Sequence, residues 1–315
     1  STGKYRITAT LRITASNVVI HGDNSGSTEI YTDAAAPFAL IASDAPDAVR
    51  VQLRLEDVSL HASTPNTAGW IGVDLTGFQY SYLTRVNVLF KSAAQPNTTS
   101  GTGVRIRGSD AGNAAYYDRI DELVFESGRG PQGRESVGID FAPAPNVNAH
   151  GPNNNRIFGG HLSGSDFGIR VGRGQGNTIV GVGIESVAIA HYEFGLPDVP
   201  CTVGPNAIHG CVSDNQVFGG YDESMSTAHY VRFNVDTLRN VLFTGYATGL
   251  HGVREAGFIE YDRGSDNRLV LGGGEFLNFD GSTQTGHPAI RFTTLTPKGV
   301  VRSTLQSPEA DGGTP

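Results

Sequence analysis

A three-residue unit, one charged residue between two apolar residues, recurs along the chain. The eight central residues alternate in sign without a break, in the order Asp74, Arg105, Asp140, Arg170, Glu193, Arg232, Glu260 and Arg291. Each unit predicts a short β-strand whose outer residues point into a core while the central residue faces water. Stacking these strands in a parallel sheet places opposite charges side by side, about 4.8 Å apart, where they attract.

A second repeated feature is an Asn or an acidic residue directly before an apolar strand. It occurs at Asn17, Asp57, Asn87, Glu122, Asn155, Asn177, Asn215, Asn240 and Asn267. A constant signature at varying spacing predicts a repeated structural unit with loops of variable length. Asn suits the turn before such a strand, because it tolerates left-handed backbone angles and its amide can bond to the next repeat.

Together the two patterns predict an all-β chain folded as a parallel β-helix of about nine rungs, with three strands per rung. The charged-centre strand comes first, the Asn-led apolar strand second, and a third strand follows a glycine turn. We expect one domain over residues 1–302. Residues 303–315, rich in Ser, Pro, Gly and acids, predict a weakly ordered tail.

Residues 3–30, which read GKYRITATLRITASNVVIHGDNSGSTEI, resemble the first coils of the pectate-lyase-like right-handed β-helix superfamily. That superfamily includes secreted polysaccharide lyases and hydrolases and the tailspikes of bacteriophages. The resemblance implies a polysaccharide substrate and a secreted or virion-surface location, and it leaves a homotrimer open. Members usually carry an N-terminal helix that caps the first coil. This chain opens directly in the strand pattern, so we expect that the cap is missing here.

Composition argues against several classes of partner and cofactor. The formal charge of −8 argues against a nucleic-acid partner, which needs clustered Lys and Arg, and the absence of long apolar runs argues against membrane insertion. Cys201 and Cys211 are close enough in sequence to form a disulfide, with two reduced thiols as the alternative. The nine His and two Cys show no metal-ligand spacing, so we predict no cofactor and no metal.

The predicted third strand carries the candidate chemistry. Its inward position is apolar or small except at Asp222. Its outward positions form two columns, and the residues in them that could act on a ligand are His161, Tyr221 and Tyr246 in one, and Glu185, Glu223 and Glu275 in the other. Tyrosine rings suit stacking on a sugar, so the first column predicts substrate binding.

Paired carboxylates are the groups that glycoside hydrolysis requires. Glu185 and Glu223 lie on adjacent strands, roughly 5 Å apart, as a retaining mechanism needs, while Glu223 and Glu275 lie roughly 10 Å apart, closer to an inverting one. Asp222 is a further catalytic candidate if that strand turns it outward. The alternative is that these carboxylates are ordinary solvent-facing residues.

Two other functions stay open. The same face could bind a glycan without cleaving it. Arg129 and Arg134 stand in a segment similar to the Arg-x-Pro-x-x-Arg motif of pectate lyases, which predicts β-elimination, although the companion Trp-x-Asp-His motif is absent. We assign the charged ladder, including Asp140 and Glu193, to structure, because neighbouring Arg residues should lower the pKa of each carboxylate.

Overall fold

The computed structural model describes the chain in segments. These are residues 2–44, 49–64, 69–91, 99–109, 111, 113–128, 135–143, 151–196, 212–223, 229–234, 237–243, 246–251, 259–261, 267–270, 274–277, 290–292 and 305–306. At residue 229 and beyond residue 243 it describes the backbone, with side chains at Asn267 and Arg268.

Every regular element in these segments is a β-strand. The first ten are β1 (Gly3–Arg6), β2 (Leu11–Ile13), β3 (Val18–His21), β4 (Thr28–Thr32), β5 (Ala39–Ser43), β6 (Arg50–Val51), β7 (Leu53–Ala62), β8 (Trp70–Thr76), β9 (Phe78–Gln79) and β10 (Tyr82–Phe90). The next ten are β11 (Gly101–Arg107), β12 (Arg119–Ser127), β13 (Val137–Ala142), β14 (Arg156–Ser163), β15 (Phe167–Val171), β16 (Gly174–Gln175), β17 (Thr178–Val180), β18 (Gly183–Glu185), β19 (Ala190–Phe194) and β20 (Val212–Ser213). The last are β21 (Gln216–Phe218), β22 (Tyr221–Glu223), β23 (His229–Phe233), β24 (Thr237–Leu238), β25 (Val241–Phe243), β26 (Tyr246–His251), β27 (Ile259–Tyr261), β28 (Arg268–Val270), β29 (Gly274–Leu277), β30 (Ile290–Phe292) and β31 (Leu305–Gln306).

The strands form long parallel sheets in which sequence order is also spatial order. One ten-stranded sheet runs β2-β5-β8-β11-β13-β15-β19-β23-β27-β30 and contains the charged-centre strands. A 16-stranded sheet contains the Asn-led strands and, paired alongside them, the third strands β18, β22, β26 and β29. Equivalent residues therefore form columns that run across each sheet, which confirms the predicted all-β class with parallel strands.

The repeat also contains elements that the sequence patterns did not predict. A two-residue strand precedes the Asn turn in several repeats, and these strands form the small sheets β6-β9 and β16-β20-β24. They are too short to show an alternating pattern, so three strands per repeat was an undercount there. The segment 303–315, predicted as a tail, contains β31, which pairs with β28.

Buried Asn side chains link successive repeats through hydrogen bonds. The backbone N–H and the Nδ2 of Asn177 both donate to Oδ1 of Asn215, at 3.1 and 2.8 Å. Asn215 donates in the same way to Asn240. Asn155 donates to Asn177, and Asn240 donates to Asn267. Each of these side chains is at most 1% exposed. This ladder confirms the predicted role of the five Asn residues from Asn155 onward.

The first four predicted ladder positions were wrong. The ladder continues upstream through Asp118, whose backbone N–H donates to Asn155, and Ser81, whose N–H donates to Asp118. Asp57 and Glu122 instead have left-handed backbone angles, at φ 58° and 57°, inside the long strands β7 and β12. They occupy the bend that Gly159 and Gly181 occupy later. Asn17 is in the turn that precedes the ladder, and Asn87 is inside β10.

The charged-centre residues form one continuous column. Every neighbouring pair from Asp74 to Arg291 is aligned in register. Arg170 Nε lies 3.1 Å from Asp140 Oδ1, and Arg232 Nη1 lies 3.1 Å from Glu193 Oε1. The predicted alternation of charge between neighbouring strands is therefore confirmed.

The expectation that these charges face water was wrong. Asp140 is 6% exposed and Glu193 only 1% exposed. Burial raises the pKa of Glu193 to about 7, against the opposing effect of Arg232 and Arg170. The pKa therefore moves in the direction opposite to the one predicted from the arginines alone. Arg232 and Asn234 replace part of the hydration that this carboxylate loses, but burial outweighs their effect on its pKa.

Asn215→Ala should lower the free energy of unfolding by about 2–4 kcal/mol, because it leaves the buried donors of Asn177 and the carbonyl of Gly174 without their partner. Asn17→Gly is the control. Asn17 is exposed with φ 61°, which Gly tolerates, so its loss should stay within about 0.5 kcal/mol. Urea unfolding measures both, and equal losses would contradict the ladder.

Glu193 should make stability depend on pH. Its folded pKa is raised, so its favourable contribution is complete below about pH 4.5 and is lost as the pH rises towards 7. In urea unfolding between pH 5 and 8, the wild type should lose about 1–3 kcal/mol relative to Glu193→Gln. Parallel pH profiles for the two proteins would contradict this assignment.

Candidate functional site

The predicted third-strand face exists as two aligned columns across β14, β18, β22 and β26. The first contains His161, Gly183, Tyr221 and Tyr246, and the second contains Ser163, Glu185, Glu223 and Thr248. Between the columns lies the inward position, where Leu162 and Ile184 are fully buried. A bend precedes this face, at Gly159 inside β14 and at Gly181 between β17 and β18, with φ 62° and 68°.

Each of the two central carboxylates contacts a polar side chain of the neighbouring column. His161 Nε2 lies 3.3 Å from Glu185 Oε2, and both side chains are 38% exposed. The Tyr221 hydroxyl donates to Glu223 Oε2 at 2.9 Å, and Tyr221 is 46% exposed. Both carboxylates are thus oriented by a neighbour and can still be reached from solvent.

Gly183 leaves a gap between His161 and Tyr221. A Cβ atom at this position would lie 3.6 Å from His161 Cδ2 and 3.3 Å from the Tyr221 carbonyl oxygen. With no side chain there, the two rings stand two strands apart, about 10 Å, across a flat stretch of backbone. No side chain therefore separates the two rings in the column next to Glu185.

Glu275 does not continue the column of Glu185 and Glu223 in regular register. Ala247 pairs with Gly274, but the register shifts before the next pair, Leu250 with Phe276. The irregularity falls where Thr248 was expected to align with Glu275. The predicted distance of two strands between Glu223 and Glu275 therefore has no support. For Glu275 and Tyr246 the structure describes the backbone alone.

Asp222 lies in the core, not on the face. It is completely buried and accepts hydrogen bonds from the Tyr230 hydroxyl at 2.6 Å and the Tyr192 hydroxyl at 3.2 Å. His191 Nδ1 lies 3.9 Å away. Burial, together with the adjacent Asp222, raises the pKa of Tyr192 well above its ordinary value, so Tyr192 remains a neutral donor. A polymer cannot reach Asp222, which removes it from the catalytic candidates.

A column of small residues explains why the core can hold this cluster. Gly72, Gly103, Gly138 and Gly168 stand directly before the charged-centre units, where a Cβ would collide with side chains of the opposite sheet. Gly168 would meet Ile184 at 2.7 Å. In the next two repeats His191 and Tyr230 replace the glycine. The opposing apolar side chain is replaced by Asp222, so the interior exchanges apolar packing for hydrogen bonds.

The sequence contained a signal for this cluster. Four successive repeats have Gly at one position, and the interruption by His191 and Tyr230 coincides with the only charged residue among the predicted inward positions. Neither deviation identifies a partner by itself. Taken together, the two deviations indicate hydrogen bonds between polar side chains of the two sheets across the core.

Other predicted residues lie outside the described part of the chain. These are Arg129, Arg134, Cys201 and Cys211. Among the described residues, no group of three or more His, Cys, Asp or Glu side chains could hold a metal ion, and no helix is long and apolar enough to cross a membrane. No protein-family model, no curated protein and no solved structure matches the chain.

Asp222→Ala should lower the free energy of unfolding by about 2–4 kcal/mol, since it leaves two buried tyrosine hydroxyls without an acceptor and opens a cavity. Asp222→Asn retains an acceptor oxygen of similar size and should cost less than half of that. Urea unfolding compares the two variants. Wild-type stability in Asp222→Ala would contradict the hydrogen-bonded cluster.

Proposed function

We propose that the chain is a right-handed parallel β-helix of about nine rungs, of the pectate-lyase-like kind, that acts on polysaccharides. The support for this fold is the constant parallel register of equivalent strands over ten repeats of the charged-centre sheet. A secreted or virion-surface location, and a homotrimer of the tailspike type, follow from the resemblance and belong to the same proposal.

The proposed activity is hydrolysis of a glycosidic bond at the third-strand face. The observation that carries it is the pairing of Glu185 with Glu223 on adjacent strands. Adjacent parallel strands place the two residues about 4.8 Å apart at the backbone. A separation of about 5–5.5 Å between two carboxyl groups is characteristic of retaining glycosidases.

The neighbours of each carboxylate suggest how the roles divide. Tyr221 holds the Glu223 carboxylate in one orientation, as attack on a sugar carbon requires, so Glu223 is the nucleophile. Glu185 has His161 beside it as a second proton-carrying group, so Glu185 is the acid and base.

The reaction then has two balanced steps. Glu185 gives its proton to the leaving oxygen as Glu223 bonds to the sugar carbon and the glycosidic bond breaks. A water molecule next loses a proton to Glu185 and displaces Glu223 from the sugar, which restores both carboxyl groups.

A second candidate is glycan binding without cleavage. It is favoured by the exposed ring of Tyr221, which can stack on a sugar whether or not a bond is cleaved. The lyase alternative depends on Arg129 or Arg134 and has no support from the described residues.

Glu223→Gln and Glu185→Gln should each reduce polysaccharide cleavage by at least about 10²-fold while leaving the melting temperature nearly unchanged. Glu126→Gln is the matched control. Glu126 occupies the same column next to Ser163, on the side away from Glu185, and forms an ion pair with Lys91. Its replacement should leave cleavage intact.

Product analysis separates the candidates. New reducing ends with retained anomeric configuration support the hydrolase, unsaturated ends indicate elimination, and retention of a glycan without products indicates binding alone. Full cleavage by Glu223→Gln would exclude Glu223 from the mechanism.

A further inference from the structure

Exposed tyrosines gather on a part of the surface that the third-strand face does not include. Tyr80, Tyr82 and Tyr117 are 44%, 43% and 48% exposed. Tyr82 is the first residue of β10 and is aligned with Arg119, the first residue of β12. Tyr80 and Tyr117 stand two residues earlier, in the turns that lead into these strands. Large exposed side chains normally occur singly on a protein surface, and a contiguous group marks a binding site.

Tyr80 and Tyr117 adopt a backbone conformation that is unfavourable for their size. Their φ angles are 56° and 57°, in the left-handed region that bulky residues rarely occupy. The turn has this left-handed conformation in other repeats too, where the equivalent residues are Gln52, Asn154, Gly176, Asp214 and Arg239. Asn and Gly accept this conformation most easily. Two successive repeats thus carry an aromatic ring where the other described repeats have a polar residue or Gly.

The two rings form a solvent-facing platform. Their centroids lie 5.2 Å apart with an angle of 19° between the ring planes. Neither hydroxyl makes a hydrogen bond within the part of the chain that the structure describes. The platform thus offers flat apolar surface with free polar edges, as stacking on a sugar ring requires.

Arginines recur in the column beside the platform, and Arg156 differs from Arg54 and Arg119. Arg54 and Arg119 each form an ion pair with an acid two residues later on their own strand, Glu56 at 2.7 Å and Asp121 at 2.8 Å. Arg156 is aligned with Arg119 but has Phe158 two residues later.

The Phe158 ring is in turn covered by the Arg119 guanidinium, 4.9 Å from its centroid. Arg156 is exposed, and the described residues provide it with no carboxylate. Its charge, next to a second guanidinium, is therefore available to an anionic group.

We propose that Tyr80, Tyr82, Tyr117, Arg119 and Arg156 form a second binding surface, the tyrosine–arginine strip, for an anionic polysaccharide. The tyrosine rings stack on sugar rings, and Arg156 binds a carboxylate or sulfate group of the same chain. A nucleic acid fits less well, because the strip has one uncompensated positive charge on a protein of formal charge −8. The strip does not depend on hydrolysis at the third-strand face.

Affinity electrophoresis through gels that contain alginate, hyaluronate or polygalacturonate tests the strip, with dextran as the neutral polymer and single-stranded DNA as the other polyanion. We expect retardation by at least one anionic polysaccharide and little by dextran or DNA. Arg156→Gln should weaken that binding about tenfold or more, since a hydrogen bond to a charged group is lost. Arg54→Gln, in the same column but already paired with Glu56, should leave it nearly unchanged.

Tyr117→Asn removes the ring and keeps the turn, because Asn154 stands at the equivalent position of the next repeat. It should weaken binding while the melting temperature stays the same or rises. Equal effects of Arg156→Gln and Arg54→Gln, retardation by DNA as strong as by the polysaccharides, or no retardation by any of the probes would overturn the proposal.

All binding measurements are repeated with Glu223→Gln as the parent protein. Substrate cleavage then cannot imitate weak binding, and a failure of the hydrolase proposal leaves this test intact. Binding that persists in Arg156→Gln but disappears in Glu223→Gln would place the polysaccharide on the third-strand face and would also overturn the strip.

Discussion

Parallel pairing in a single register is the constraint on which the rest of this structure depends. A slip of one residue would turn every inward side chain outward, so both faces of each sheet would be lost together. Two buried ladders oppose such a slip. The Asn ladder from Asn155 to Asn267 satisfies backbone groups inside the turns, and a slip of one residue would move each charge of the charged ladder away from its opposite partner on the next strand. Register is thus fixed by hydrogen bonds and charge, while apolar packing fills the interior.

Where a residue of a different type interrupts a column of equivalent residues, the side chains that it contacts differ as well. The replacement of interior glycine by His191 and Tyr230 is matched by Asp222 on the opposite sheet, so bulk and polarity change on both sides at once. On the outer face, Phe158 takes the position of an acid and leaves Arg156 without a carboxylate. The first exception is satisfied within the protein. Arg156, by contrast, is exposed to solvent, so it suggests a ligand, whereas the buried Asp222 cluster does not.

The sequence predicted the parallel sheets, the alignment of the charges and the two outward columns, because apolar periodicity and charge alternation are visible within each short segment. It could not predict what depends on distant neighbours. The burial of Glu193 depends on structure outside its own strand, and the partners of Asp222 come from another sheet. The upstream ladder was missed because Ser81 and Asp118 are not Asn, and Glu122 was misplaced because an acid occupies a bend that glycine occupies later.

The most direct test of this account measures height along the stack. Spin labels on Arg54→Cys and Gln216→Cys, with Cys201 and Cys211 replaced by Ser, mark two residues of one column that lie five strand steps apart, through Tyr82, Arg119, Arg156 and Thr178. Electron–electron double resonance should give one narrow distance distribution centred near about 24 Å, five times the spacing of neighbouring strands. A distribution centred beyond about 35 Å, or one broad enough to include several registers, would contradict the account.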